Sequence, residues 1–138
     1  MEDKLETLQE FELYKAQIKT LTENLELIEV SINELQNVNE GLKALKDAKK
    51  GSEILVPMGA DSFVNAKVTD TKNVIIGLGA GVATKKSVDE AMSDIEGRIK
   101  ELEDIKKKST DKLQFYTKKF EEIAPHVQEI IEDIQKEG

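Results

Sequence analysis

The residues of this chain that could do chemistry are few, and their spacing argues against it. His126 is the only histidine. It follows Pro125 in an acidic stretch with no matching ligand set around it, so it reads as a surface residue and not as a metal ligand. Gly77-Leu78-Gly79-Ala80-Gly81 resembles a phosphate-cradling loop at first sight. However, Val82 stands at the third-glycine place of the dinucleotide fingerprint, no Gly-Lys-Ser/Thr follows, and the next segment reads as a strand, not a helix. These glycines are expected to serve a tight hairpin. Acidic residues are numerous, 28 of 138, but they alternate with lysines as solvated helix flanks do. There is no cysteine, which removes disulfide frameworks and thiolate metal sites. No enzyme activity, cofactor or metal is expected.

The elements that position these residues are two heptad stripes. In the first, apolar residues recur at alternating three- and four-residue spacings from Phe11 through Tyr14, Ile18, Leu21, Leu25, Ile28, Ile32, Leu35 and Asn39 to Leu42. The second runs from Val88 through Met92, Ile95, Ile99, Leu102, Lys106, Ser109, Leu113, Tyr116, Phe120, Ile123, Val127 and Ile130 to Ile134. Such a period keeps a narrow seam turned toward a partner helix. Asn39 on the seam reads as a register device, Lys106 as a snorkelling lysine, and Ser109 as a small residue beside a bulky partner. The first helix is expected from Leu5 to Ala48, about 60–65 Å long. Lys46, Lys49 and Lys50 suit its carboxyl end, and Gly51 suits a left-handed cap. The second helix is expected to start at Ser87, whose spacing to Glu90 is that of a capping box, and to run to about Gln135, loosened at Pro125 without ending there.

Between the stripes, β-branched residues bounded by Gly, Asp and Asn mark two hairpins. Glu53–Pro57 and Ser62–Lys67 form one; Val74–Leu78 and Val82–Lys85 form the other. The chain thus reads as one domain: helix over 1–50, two β-hairpins over 52–86, helix over 87–138. The fold class is mainly α with a small β insert, a long antiparallel coiled-coil hairpin. Two bare hairpins are marginal in water, so the insert is expected to find partner strands in other chains. The assembly residues expected are Leu55, Val56, Phe63, Val64, Val74, Ile75, Ile76 and Val82.

Charge narrows the function classes. The net charge of −8 argues against nucleic acid, which needs a basic stripe. No apolar run is long enough for a bilayer, and Met1-Glu2-Asp3-Lys4 is no signal peptide, so a cytoplasmic protein without membrane contact is expected. Residues 1–12 carry Glu2, Asp3, Glu6, Glu10 and Glu12 against Lys4, a net of −4. Residues 121–138 carry Glu121, Glu122, Glu129, Glu132, Asp133 and Glu137 against Lys136, a net of −5, so the acidity is localised at the two chain ends. If the helices fold back symmetrically, Phe11 lies opposite Pro125, Leu8 near Val127 and Ile130, and Leu5 near Ile131. Leu5, Leu8 and Ile131 also fall off the seams, which leaves them either as scattered residues of a frayed end or as apolar groups held available at a tip.

Helix, two hairpins, helix, with Glu53-Ile54-Leu55-Val56-Pro57-Met58-Gly59, Phe63-Val64-Asn65-Ala66-Lys67, Val74-Ile75-Ile76-Gly77-Leu78-Gly79-Ala80-Gly81 and Lys86-Ser87-Val88-Asp89-Glu90-Ala91, resembles an archaeal-type alpha-class prefoldin subunit. Leu42-Lys43-Ala44-Leu45-Lys46 fits as well, and the resemblance covers essentially the whole chain. It implies an ATP-independent chaperone in which two alpha-class and four beta-class subunits join through a β-barrel platform. Coiled-coil tips hold unfolded proteins and pass them to a group II chaperonin. Some archaeal alpha-like members instead assemble with themselves, into homo-oligomers or filaments. The family contributes a location, the tip, and not a motif; the client-binding residues expected there are Leu5, Leu8, Phe11, Val127, Ile130, Ile131 and Ile134. The alternative is a self-assembling structural protein whose β insert polymerises.

Overall fold

In the computed structural model, which describes residues 2–137, helix α1 (Glu2–Asp47) is followed by strands β1 (Glu53–Gly59), β2 (Ser62–Lys67), β3 (Asn73–Gly79) and β4 (Val82–Ser87), and then by helix α2 (Val88–Glu137). Two compact units result: a terminal unit made of residues up to Ser31 and from Leu102 onward, and a central unit, Ile32–Glu101.

In the terminal unit α1 and α2 run antiparallel, and the aromatic seam residues set their stagger. Phe11 stacks on Phe120 with ring centroids 4.7 Å apart, and Tyr14 lies 5.9 Å from Tyr116. Phe11 therefore does not oppose Pro125. Matching seam to seam outweighs a symmetric fold-back, because only seam residues can interdigitate. Lys106, on the seam, extends its amine to Glu29 at 2.7 Å, as a snorkelling lysine should. Pro125 lies inside α2, which continues to Glu137. The missing amide donor interrupts the ladder locally, while Val127 and Ile130 beyond it remain buried.

In the central unit a cluster of Leu42, Val88, Ala91 and Ile95 forms the core, flanked by Leu35, Leu45, Met92 and Ile99 of the helices and by Val74 and Ile76 of β3. Both facing helix ends are anchored. Ser87 Oγ accepts the Glu90 amide at 3.1 Å, the cap expected from the spacing. Lys46 in the last turn of α1 meets Asp89 in the first turn of α2 at 2.8 Å, each charge at the dipole end that favours it. That hydrogen bond, with the attraction of the carboxylate, raises the Lys46 pKa above the ordinary lysine value. Asn39 Oδ1 is buried without a hydrogen-bond partner among the described residues.

Gly51 does adopt a left-handed conformation (φ 89°), but its role is not a helix cap. The helix already ends at Asp47. Gly51 sits in a tight turn closed by Ser52 N–H donating to Lys49 O at 3.0 Å. Its own amide donates to Val68 O (2.7 Å), and the Val68 amide donates to Ser52 O (2.9 Å). This is a glycine bulge that starts the first hairpin.

The hairpins are two separate antiparallel pairs, β1–β2 and β3–β4. Each closes through two residues with positive φ, Ala60 (47°) and Asp61 (60°) or Ala80 (52°) and Gly81 (74°), as a type I′ turn requires. The tight-hairpin reading of Gly77–Gly81 is thus what the backbone shows. Because such turns consume only two residues, strands extend to Gly59 and Gly79, further than expected from the sequence. Strand lengths, pairing and the register shift before each turn repeat at an offset of 20 residues, from Glu53↔Lys67 to Asn73↔Ser87.

The hydrogen-bond phase repeats too. Val68 donates to Ser52 and Val88 to Lys72, so these pairs are of the hydrogen-bonded kind, and pairing alternates along each ladder. Glu53, Leu55 and Pro57 then turn their backbone outward on β1; Phe63, Asn65 and Lys67 do so on β2. The equivalents are Asn73, Ile75 and Gly77 on β3, and Ala83, Lys85 and Ser87 on β4. Pro57 agrees with this phase, since a residue without an N–H is tolerated only where the ladder does not need one.

The link from β2 to β3 is organised by Asp70. Its carboxylate accepts the amides of Lys72 (2.8 Å) and Asn73 (3.1 Å) and the Asn73 side-chain amide (3.2 Å). The Lys72 backbone bond, then those of Asn73, hold its pKa below the ordinary carboxylate value. A depressed acid stabilises the fold above the usual carboxylate range and loses that contribution as pH falls through its folded value. Amide exchange at Lys72 and Asn73 is therefore expected to accelerate on acidification below that range, beyond the intrinsic pH trend. Asp70→Asn should flatten this response. Equal pH dependence in both proteins would refute it.

Candidate functional site: strand edges and the acidic helix ends

The first candidate site is the pair of hairpins. Every residue of β1 is exposed, and of β2 only Ala66 is half-buried. Leu55, Val56, Phe63, Val64, Ile75 and Val82 of the expected assembly set are exposed, Ile75 at 77%. Val74 and Ile76 are half-buried, because they also pack on the central core. Ile54, Met58 and Leu78 are exposed and were not singled out from the sequence. Met58 and Leu78 occupy the register shift just before each turn, and the repeated Gly-Ala at 59–60 and 79–80 was the signal available for them. A hairpin this apolar and this open is marginal by itself in water.

The second candidate site is the end of the terminal unit that carries the start of α1 and the end of α2. The expected client-binding residues divide there. Leu5 (58%), Ile131 (39%) and Ile134 (54%) are exposed. Leu8 and Phe11 are half-buried. Val127 (3%) and Ile130 (2%) are buried and belong to the packing of this unit, not to its surface. Ile134, placed on the seam by its spacing, is exposed all the same: every residue of α2 after Ile130 down to Glu137 is exposed. Lys4 and Asp133 approach to 3.9 Å, both half-exposed, a contact worth little. Leu13 and Phe115 are further exposed apolar residues of this unit, and Lys119 lies over the Phe115 ring at 5.7 Å. Their off-seam positions were the signal in the sequence.

Neither site holds catalytic geometry. His126 is exposed, 3.8 Å from Glu129. Among the described residues no cluster of His, Cys, Asp or Glu could hold a metal, and no helix is long and apolar enough to cross a membrane.

Two long helices joined by two small antiparallel hairpins with open edges define a class of helical subunit whose β insert lies exposed between its helices. The prefoldin-subunit family model matches residues 14–133, and the chain belongs to the prefoldin family, whose members are chaperone subunits and not enzymes. It is 46% identical over 99 residues to prefoldin subunit alpha 1 of Thermococcus kodakarensis, covering 71% of this chain and 68% of that one. It is 38% identical over 122 residues to prefoldin subunit alpha of Pyrococcus horikoshii, covering 88% and 82%. The match to prefoldin subunit alpha of Methanopyrus kandleri, 49% identical over 87 residues, spans 63% of this chain and 55% of that protein's length. The fold is similar to the cryo-EM structure of filamentous PFD from Methanocaldococcus jannaschii, with a TM-score of 0.72 and 25% identity over 86% of this chain and 98% of that one.

Proposed function

We propose that this chain is a subunit of a cytoplasmic, ATP-independent holdase that assembles through its hairpins, grips unfolded proteins at its acidic helix ends and delivers them to a group II chaperonin. The observation that carries the reading is the exposure of Leu5, Ile131 and Ile134 among the carboxylates of both chain ends. Each such side chain contributes about 1.5–3 kcal/mol if a client covers it fully. Several weak contacts shared among the ends of one assembly add up without sequence specificity. Val127 and Ile130 act here as the packing beneath that surface, and Leu8 and Phe11 as its half-buried margin. In assembly, beta-class subunits in a hetero-hexamer are the partners.

The test is aggregation of an unfolded client. Leu5→Ser, Ile131→Ser and Ile134→Ser together are expected to lose most suppression while assembly mass and helix melting stay near wild type. Undiminished protection would move the grip elsewhere on the subunit.

Handover is expected to depend on salt. The two ends hold a net of −9 against −8 for the whole chain, so the remainder is nearly neutral. Exposed charges are screened over about 8–10 Å at physiological salt. Chaperonin association should therefore slow between low and physiological salt, and neutralising Glu129, Glu132 and Asp133 should act mainly on the association rate. A rate indifferent to salt would exclude electrostatic steering.

The second reading is a self-assembling structural protein, for which the fold shared with filamentous PFD speaks. The mass of the purified chain separates the cases: monomer or dimer indicates a missing beta-class partner, a hexamer a self-sufficient chaperone, and a ladder of sizes a filament.

A further inference from the structure

The two flanks of the helix seam in the terminal unit differ in chemistry. A residue that immediately precedes a seam position falls on one flank of its helix, and a residue that follows it falls on the other. The preceding flank of α1 reads Leu13, Gln17, Thr20, Asn24 and Leu27, without a charge. That of α2 reads Ile105, Lys108, Lys112, Phe115 and Lys119. The fold brings both to one face: Gln17, Thr20 and Asn24 line a shallow groove of about 490 Å³ together with Lys112 and Phe115. Asp111 is the carboxylate among its lining residues.

Coiled-coil flanks ordinarily set lysine against carboxylate across the seam. Here α1 offers amides and a hydroxyl instead. Lys106 pairs with Glu29 and Lys119 approaches Glu122 at 3.9 Å, whereas Lys108 and Lys112 form no ion pair among the described residues. Leu13, Leu27, Ile105 and Phe115 stand exposed on the same face. The following flank of α1 has a different character, with Lys15 and Lys19 offset by Glu26 and Glu29.

We propose that this flank is a second client-binding face, which takes non-native segments whose apolar residues are interleaved with carboxylates. The inference rests on the holdase reading, and it adds a site and a substrate class that the acidic ends do not serve. Those ends hold a net of −9 and repel such segments. Residues 106–119 carry six lysines against Asp111, a net of +5. Lys108 and Lys112, one helical turn apart, meet the carboxylates of the segment, while Phe115 and Leu13 cover its apolar side chains. Gln17, Thr20 and Asn24 can hydrogen-bond peptide groups, which every sequence has. From Leu13 to Leu27 the face runs about 21 Å, a length that about 7 extended residues cover.

The full-length protein is titrated into a labelled peptide of about 12 residues, Leu and Phe interleaved with Glu, and binding is read by fluorescence anisotropy at low and physiological salt. The same peptide with Gln or Lys in place of Glu, and a single-stranded oligonucleotide of equal charge, are compared. Lys108→Glu with Lys112→Glu is expected to weaken the Glu peptide about tenfold, and Phe115→Ser to weaken it as well. Lys15→Glu with Lys107→Glu, the same charge change on the other flank, should leave it nearly unchanged. Circular dichroism checks that all variants melt as wild type, since none of the lysines lies on the seam. Equal weakening by both lysine pairs would overturn the face in favour of a general field. Equal binding of the Glu and Gln peptides would overturn the preference for carboxylates. An oligonucleotide that binds as tightly, with the same loss in Lys108→Glu, Lys112→Glu, would overturn an acidic polypeptide as the partner. The holdase reading fails separately, if wild type leaves basic and acidic unfolded clients alike to aggregate.

Discussion

Ile130→Ala is expected to destabilise the terminal unit by about 2–5 kcal/mol, the range for removing a fully packed isoleucine side chain and leaving a cavity. Ile130 is the largest fully buried side chain described, at 2% exposure, and it immediately precedes the stretch of α2 that is wholly exposed. Val127→Ala, which removes one carbon fewer, should act in the same direction and less strongly. Leu5→Ala, by contrast, removes a side chain that buries little and should change stability by no more than about 0.5 kcal/mol. Thermal melting followed at 222 nm separates the three. Hydrogen exchange over residues 120–134 should show local loosening in the isoleucine variant and none in Leu5→Ala. Equal melting of Ile130→Ala and wild type would mean that this end of the helix pair is not closed in solution.

The second large effect is expected at Ile75→Pro. Ile75 is the most exposed large apolar side chain among the described residues, and its backbone turns away from β4. Proline there removes an outward donor and leaves the β3–β4 ladder intact, so the assembly should dissociate while helicity is retained. Ile76→Pro is the control. Its amide lies on the β4 side of the ladder and its side chain packs on the central core, so that substitution should also unsettle the hairpin itself. Light scattering for mass and circular dichroism for helix content, measured on the same samples, check both. An undissociated Ile75→Pro assembly would show that the helices, not the strands, hold the subunits together.

Much of the fold was legible because periodicity is a local property. Each seam residue from Phe11 to Leu42 and from Val88 to Ile130 is half-buried or buried, including Lys106 and Asn39, since a 3.5-residue repeat leaves a helix one face on which to meet another. Ser87 could be named as a cap because its hydroxyl and the Glu90 amide lie within one turn. The hairpin turns were legible for the same reason, although the type I′ geometry let the strands run further than the spacing implied.

The candidate sites were less legible. Exposure depends on what a residue meets across space, and the spacing of Val127 and Ile130 matched that of Ile134. Only the packing of α1 against α2 divided them, burying the first two and leaving Ile134 bare. Likewise Gly51 looked like a helix cap because a left-handed glycine serves either purpose. Val68, seventeen positions later, turned it into a bulge through two hydrogen bonds.

By itself the sequence determined the two amphipathic helices, the two-hairpin insert, the acidic chain ends and the absence of catalytic motifs, all of which follow from residue type and near-neighbour spacing. Tertiary structure alone decided the stagger of Phe11 on Phe120, the docking of β3 on the core while β1 stands exposed, and the direction in which each strand offers its unpaired backbone. Those features are set by contacts between residues remote in the chain, where aromatic stacking, core packing and hydrogen-bond phase select among arrangements that local pattern leaves equally open.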